Sequence, residues 1–531
     1  MSPRRATAPD TLVALDPAAP VPLYRQLYDG LREAILAGRL APGARLPSSR
    51  LLAAELGLAR NTVALAFDQL RAEGYFEGRE RAGTFVARTL PDRMLHVPSR
   101  ARDARDARGE RGERGERGER GARPLGGAST RPSIHPSAAA RVAARTPLVA
   151  LTVANRWCRV AEDSGPAALA APAAFRLGVP ALDAFPRVLW ARLTARRWRD
   201  AALPLGYGDP AGYAPLRRAI AAYVSAARGA RCTAEQVIVV AGSQQGLNLA
   251  ARMLLDPGDE VWMEDPGYPG ASAAFTMVGA RLVPVPVDAE GIRVADGERA
   301  APAARLAYVS PSHQYPTGAT MSASRRLALL AWAARAGAWV VEDDYDSEFR
   351  YASRPLPCLQ GLDVEGRVIY AGTFSKTLVP ALRLGYLVVP EPLVDAFVAA
   401  RTVDDRQSPV VDQAVLADFL EGGHFARHVR HMRALYLERQ EALLAAAAKH
   451  LAGRLEVRPA ASGMHLVAWL PPGEDDARLA ARALAAGVES RAVSRLAVTP
   501  LARGGLMLGY AGFTPRQIHR AAERLAAALG A

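Results

Sequence analysis

The run RGERGERGERG, from Arg108 to Gly118 and continuing to Gly121, limits most strongly what this chain can fold into. It holds no residue able to build a core, and a segment without apolar side chains cannot offset the conformational entropy of ordering itself. Glycine recurs at every third position, but proline does not occupy the repeat, so a flexible tether is the reading rather than a collagen-like helix. Its arginines attract phosphate weakly, and the alternating glutamates halve that attraction. Ala, Pro, Ser and Arg dominate the flanks from Pro91 to Pro172. Structure must therefore form in two separate parts, 1–90 and 173–531, with 91–172 as the linker.

Half of the 531 residues are apolar, enough for more than one folded unit. No apolar run reaches membrane-spanning length, and the N-terminus MSPRRATAPDTLVALDPAAP is too broken by proline and aspartate for a signal peptide. Cys158, Cys232 and Cys358 are scattered without metal or CxxC spacing, as expected of reduced thiols in a cytoplasmic protein. The net charge of +14 divides as +3 over 1–90 and +6 over 91–172, leaving +5 for the remainder. Such a balance permits nucleic-acid binding without establishing it.

In the first part, Leu23, Leu27, Leu31 and Ile35 form the apolar stripe of one amphipathic helix that ends at Gly38. After LAPGARLPSS, Ser48 or Ser49 can cap a second short helix running through Leu56, before Gly57. A third helix spans about Arg60 to Glu73, with Val63, Phe67 and Leu70 facing inward. YFEGRERAGTFVA then reads as a basic hairpin. Three helices and a hairpin outline a winged helix-turn-helix, whose third helix enters the DNA major groove. Its first residues, Arg60, Asn61 and Thr62, suit guanine, adenine and phosphate. Arg50, Arg81, Gly83 and Thr84 are placed to hold the backbone of double-stranded DNA.

From Phe175 onward, VIVVAG, EVWMED, RLAYVS, AWVVEDD and RVIYAG alternate with alanine-rich helical segments. That pattern predicts an α/β fold around a mostly parallel sheet, with its site at the strand ends. Only two of the 67 basic residues are lysine, Lys376 and Lys449. Lys449 ends an alanine-rich helix, where a cation suits the dipole. Lys376 stands in YAGTFSKTLVPALRLG, between hydroxyl residues and seven positions before Arg383. A lysine amine can lose its proton and condense with a carbonyl; a guanidinium cannot. With Ser375 and Arg383 suited to a phosphate, this is the profile of a lysine that binds pyridoxal 5′-phosphate (PLP).

Other segments fit that profile less specifically. AGSQQGLNL turns from strand to helix with the N–H groups of Gly242, Ser243 and Gln244 as a phosphate seat, or as an ordinary helix start. Tyr268 in EDPGYPG can stack on a planar ring or simply fill a turn. VVEDDYDSEF ends in clustered acids, of which Asp343 can pair with a pyridine nitrogen and Tyr345 with the ring hydroxyl. Five acids this close can also hold a divalent metal, but no histidine joins them in the sequence, so no metal is expected.

PLYRQLYDGLREAILAGRLAPGARLPSSRLLAAELGLARNTVALAFDQLRAEGYF resembles the N-terminal domain of the GntR family of bacterial regulators, with Ala64 where some relatives carry a basic residue. Residues 173–531 resemble fold-type I PLP enzymes of the aminotransferase class, and the whole arrangement resembles the MocR subfamily of regulators. The resemblance implies a Schiff base at Lys376, Asp343 on the pyridine nitrogen, Tyr345 on the phenolic oxygen and Tyr268 on the ring. It implies Ser243, Gln244, Ser375 and Arg383 on the phosphate, and a head-to-tail homodimer in which Tyr207 reaches the other subunit's phosphate. Two departures stand out. SPSHQYPTG has Tyr315 where NPTG has asparagine, leaving Ser312 or His313 for that contact. GLMLGYAGF has Met507 where a carboxylate-clamping arginine is usual, with Arg491 or Arg495 as substitutes. The expectation is a PLP-dependent transcriptional regulator that senses PLP, an amine or an amino acid. The alternative is an active aminotransferase that carries a DNA-binding domain.

Overall fold

The computed structural model describes residues 15–16, 23–72, 75–79, 83–87, 173–351 and 356–530; the expected linker and Arg81 lie outside them. The chain divides into two compact units between Cys158 and Arg159.

In the first unit, α1 (Leu23–Leu36), α2 (Ser49–Glu55) and α3 (Arg60–Ala72) precede a hairpin of β1 (Phe76–Arg79) and β2 (Gly83–Val86). Leu27, Leu31 and Ile35 of α1 pack on Val63, Phe67 and Leu70 of α3, so the four-residue stripe is the core face. Ser48 is the cap of α2: its Oγ accepts from the Leu51 N–H at 3.2 Å. Phe67 meets Phe76 edge-on at 5.2 Å, and Arg71 Nη2 donates to Thr84 Oγ1 at 2.9 Å. These contacts tie α3 to both strands of the hairpin, completing a winged helix-turn-helix.

The second unit is built on β3 (Val237–Val240), β4 (Glu260–Asp265), β5 (Arg281–Asp288), β6 (Gly291–Ile292), β7 (Leu306–Val309), β8 (Trp339–Asp344), β9 (Val368–Thr373) and β10 (Gly385–Val388). They assemble in the order β3-β10-β9-β8-β7-β4-β5-β6. The five from β9 to β5 run parallel, while β10 is antiparallel to both of its neighbours. Helices separate most of the strands in sequence, and β3, β7 and β9 are buried along their whole length, as a sheet covered on both faces requires. A smaller antiparallel sheet follows, from β11 (Glu456–Val457), β12 (His465–Trp469), β13 (Arg491–Ala492) and β14 (Gly505–Gly509), in the order β11-β12-β14-β13. It shares a core with the helices His424–His450 and Pro515–Gly530. Among the described residues, no helix is long and apolar enough to cross a membrane.

Candidate functional site

Strand β9 is buried to its end and delivers Lys376 three residues later. Its Nζ donates to the Gly178 carbonyl at 3.1 Å. Gly178 has φ +70, and a Cβ there would lie 2.5 Å from Nζ, so a side chain at 178 would collide with the amine. Burial lowers the lysine's pKa, while the carboxylates of Asp346 and Asp343 hold it up in part.

The end of β8 sends successive acids to opposite faces of the sheet. Asp344 takes the Tyr370 hydroxyl at 2.5 Å and Arg228 at 3.0 Å. Asp343 accepts from the Tyr308 hydroxyl through Oδ2 at 2.7 Å, while its buried Oδ1 has no hydrogen-bond partner. Burial pushes the Asp343 carboxyl up to about 6, against the pull of Tyr308. Glu264 on β4, held by Ser310 and Gln314, is pushed by burial up to about 7. Both acids therefore sit where a proton or a cationic ring N–H is favoured.

Tyr345 and Asp346 both reach one histidine. His313 is 2% exposed, and its Nδ1 lies 3.0 Å from the Tyr345 hydroxyl and 3.1 Å from Asp346 Oδ2. The acids are thus joined by a histidine after all, which corrects the expectation from local spacing: it arrives from the loop after β7. No group of three metal-ligating residues forms among the described residues. Of the two candidates for the asparagine's place, His313 and not Ser312 meets Tyr345. The Ser312 carbonyl accepts from Thr320 Oγ1 and Arg350 Nη2, each at 3.3 Å.

At the other end of the pocket the helix Ser243–Leu254 begins after Gly242, which has φ +101 and gives no side-chain cap. Arg383 adopts φ +48 and brings its guanidinium to this turn: a Cβ on Gly242 would lie 3.2 Å from Nη1. A guanidinium at the positive end of a helix is unfavourable alone and favourable around an anion. Gln244 turns away from this seat, its Nε2 donating to the Gly270 carbonyl at 2.8 Å and its Oε1 3.5 Å from the Tyr268 hydroxyl. The Ser375 N–H donates to Thr373 Oγ1 at 3.2 Å, holding the loop after β9.

Tyr268 stands just before the next helix, without a side-chain cap, and meets the Tyr315 ring edge-on at 5.6 Å; burial pushes its phenol up to about 12. Met507 is fully buried among Val467, Val493 and Leu496. Arg491 pairs directly opposite it across β13 and β14, and its positive charge offsets part of the burial that raises the Tyr315 phenol's pKa. Arg491, on the next strand, thus supplies positive charge beside the position where Met507 has none. Tyr207 is 86% exposed, with the Arg406 guanidinium 4.9 Å from its ring centroid.

In the first unit, Arg60 opens α3 and Arg50 lies in the first turn of α2, both exposed. Thr62 is half-buried; Asn61 lies on α3, but its side chain is outside the description. Gly83 is exposed with φ +103 beside the Arg45 guanidinium, and the Thr84 hydroxyl is engaged by Arg71. Arg45, bridged to Phe85, went unnoticed in the sequence because its neighbours look like an ordinary turn.

Residues 187–525 match the class I and II aminotransferases, and residues 23–86 match the gntR family of bacterial regulatory proteins. The probable rhizopine catabolism regulatory protein MocR of Rhizobium meliloti is 40% identical over 518 residues, 97% of this chain and 96% of its own. The chain belongs to the MocR subfamily of GntR-type regulators. The pyridoxine biosynthesis transcriptional regulator PdxR of Corynebacterium glutamicum is 31% identical, covering 86% of this chain and 85% of its own. Among solved structures, kynurenine aminotransferase of Pyrococcus horikoshii superposes with a TM-score of 0.65 at 28% identity, over 72% of this chain and 96% of its own. LysN, an α-aminoadipate aminotransferase of Thermus thermophilus complexed with N-(5′-phosphopyridoxyl)-L-leucine, gives 0.62 at 31% identity, over 67% and 92%.

PLP is the cofactor of this fold. It brings a phosphate, a ring nitrogen and an aldehyde. The pocket offers an uncapped helix start beside a guanidinium, a buried carboxylate with an open oxygen, and an amine of lowered pKa. The residues present fit the group.

Proposed function

We propose that this chain is a PLP-dependent transcriptional regulator that reads its effector at the Lys376 pocket and reports it through the winged helix. The likeness to a named regulator carries this reading, because it runs through both units over 97% of the chain. The DNA-binding part is assigned to 1–90, the linker to 91–172 and the sensor to 173–531. Arg60, Asn61 and Thr62 meet base edges and phosphate, with Arg50, Arg81, Gly83 and Thr84 on the backbone. Lys376 takes the aldehyde, Asp343 the ring nitrogen, Tyr345 the ring hydroxyl and Tyr268 the ring face. Ser243, Ser375 and Arg383 hold the phosphate together with the backbone N–H of Gln244, whose side-chain amide is engaged by Gly270 and Tyr268. PLP, when bound, supplies a carbonyl that exchanges amines and a ring that withdraws electrons.

Buried Met507 favours a sensor over a turnover enzyme, since methionine cannot neutralise the carboxylates of two successive substrates. Arg491 suits an effector that carries an acid group beside its amine. Exposed Val188, Trp198, Leu205 and Tyr207 supply apolar surface for a head-to-tail homodimer in which Tyr207 reaches the other subunit's phosphate seat. The expected location is the cytoplasm.

The test is a visible spectrum of the PLP-loaded protein, followed during addition of amines and amino acids with a keto acid, alongside operator-binding titrations. A band that shifts once per site and changes DNA affinity supports the regulator. Product far in excess of protein means an enzyme, and no cofactor band at all ends the sensor assignment.

A further inference from the structure

We propose that Arg45 is a phosphate-contacting residue of the winged helix, carried on a third strand of the wing and laid across Gly83. The Gly43 N–H donates to the Val86 carbonyl at 2.9 Å, the Val86 N–H to the Ala44 carbonyl at 2.8 Å and the Leu46 N–H to the Thr84 carbonyl at 2.9 Å. Arg45 thereby stands opposite Phe85 on β2, in antiparallel register. Side chains alternate across a strand, so this segment has two distinct faces. Ala44, Leu46 and Val86 turn into the core of the unit. Arg45, Phe85 and Gly83 share the other face, and Arg45 is exposed on it. Its guanidinium runs diagonally to the start of β2, where a Cβ on Gly83 would lie 3.6 Å from Nε and 3.8 Å from Nη2.

Charge pairing sets Arg45 apart from its neighbours. In the same unit Arg25, Arg39 and Arg71 have the carboxylates of Asp29, Glu33 and Asp68 at 3.0, 3.7 and 3.8 Å. Arg45, Arg50 and Arg60 have no ion pair among the described residues. Arg50 and Arg60, at the starts of α2 and α3, are already assigned to DNA; Arg45 shares their exposure and their lack of an acid. Phe85 separates Arg45 from Glu77, which stands opposite Phe85 on β1. On the other face of β2 the Thr84 hydroxyl accepts from Arg71, which ties that side chain to α3. A planar guanidinium with unspent N–H donors matches a phosphate through two parallel bonds. Such a contact carries no sequence information; it fixes how the reading helix is set on the duplex. The ladder bonds on either side of Arg45 hold its backbone, so binding has to order only the side chain.

The assignment rests on the regulator reading, and its test keeps the two apart. The probes are a duplex that the full-length wild type selects from a random pool and a scrambled duplex of the same length and composition. Both are titrated by anisotropy over a series of salt concentrations. Arg45→Gln should bind both duplexes several-fold more weakly and leave the ratio between them unchanged. The slope of log affinity against log salt should fall by about 1, and Arg45→Lys should restore it. Unchanged affinity and slope in Arg45→Gln overturn the proposal. A loss confined to the selected duplex overturns it too, because it places Arg45 on a base edge instead of a phosphate. Should the glutamine variant fail to fold, arginine-selective labelling of the wild type decides: the selected duplex must protect Arg45, and equal labelling with and without DNA overturns the contact. A wild type that selects no duplex refutes the regulator reading itself, whereas a wild type that binds DNA beside an indifferent Arg45→Gln refutes this contact alone.

Discussion

Asp343→Asn separates what the pocket does for cofactor from what it does to stability. The Asp343 carboxyl is pushed from an ordinary 3.8 up to about 6, chiefly by burial. A raised carboxyl pKa means that the folded state holds its proton more tightly than the unfolded chain. Wild-type stability therefore falls as pH rises between these two values, and levels off above the higher one. The full span, 2.2 units at 1.36 kcal/mol each, is about 3 kcal/mol. Between about pH 4.5 and pH 7.5 it amounts to about 2 kcal/mol. Asparagine keeps an acceptor for Tyr308 and does not titrate. Any penalty from its buried amide is the same at both pH values, so the difference between them isolates the carboxyl.

The assay is denaturant unfolding of cofactor-free wild type and Asp343→Asn at the two pH values. The variant should gain about 2 kcal/mol on the wild type as pH rises from the Asp343 carboxyl itself, with a further gain of the same sign through Glu264, whose own proton Asp343 helps to hold. PLP should then stabilise the wild type more than the variant, because the ring N–H would meet the open Oδ1. A difference that is flat with pH, or a variant that loses ground toward pH 7.5, would refute the claim that this site carries an uncompensated carboxylate.

Lys376→Ala should abolish the visible band of lysine-bound PLP, and a band of unchanged position and intensity would remove Lys376 from the cofactor. Gly178→Ala puts a methyl group 2.5 Å from Nζ at φ +70, so it should destabilise the fold by about 1 kcal/mol or more and cut PLP uptake; normal uptake would show that the lysine does not need that carbonyl. Arg60→Ala should weaken operator binding by about 1–3 kcal/mol while leaving PLP uptake untouched, measured by anisotropy at fixed salt. Equal affinity of variant and parent would deny α3 its reading role.

Local chemistry made much of this protein legible. The stripe of α1, the Ser48 cap and the inward face of α3 are decided within a few residues, by helical period and by the need to satisfy a helix's first N–H groups. Lys376 was visible because lysine is so scarce that its one loop position demands a reason. What local spacing could not supply were partners set by strand order. Gly178 meets a lysine 198 positions away, and His313 meets Tyr345 32 positions away because β7 and β8 are neighbours in the sheet. Arg491 was one of two arginines left open, and the register of β13 on β14 is what sets it opposite Met507. Gln244 shows the reverse error. A residue in the first turn of a phosphate-binding helix looks committed to the anion, yet its amide is drawn to Gly270 and Tyr268, which the following strand brings alongside. The pocket's ends are thus written in short motifs, whereas the choice of partner within it follows from which strand lies next to which.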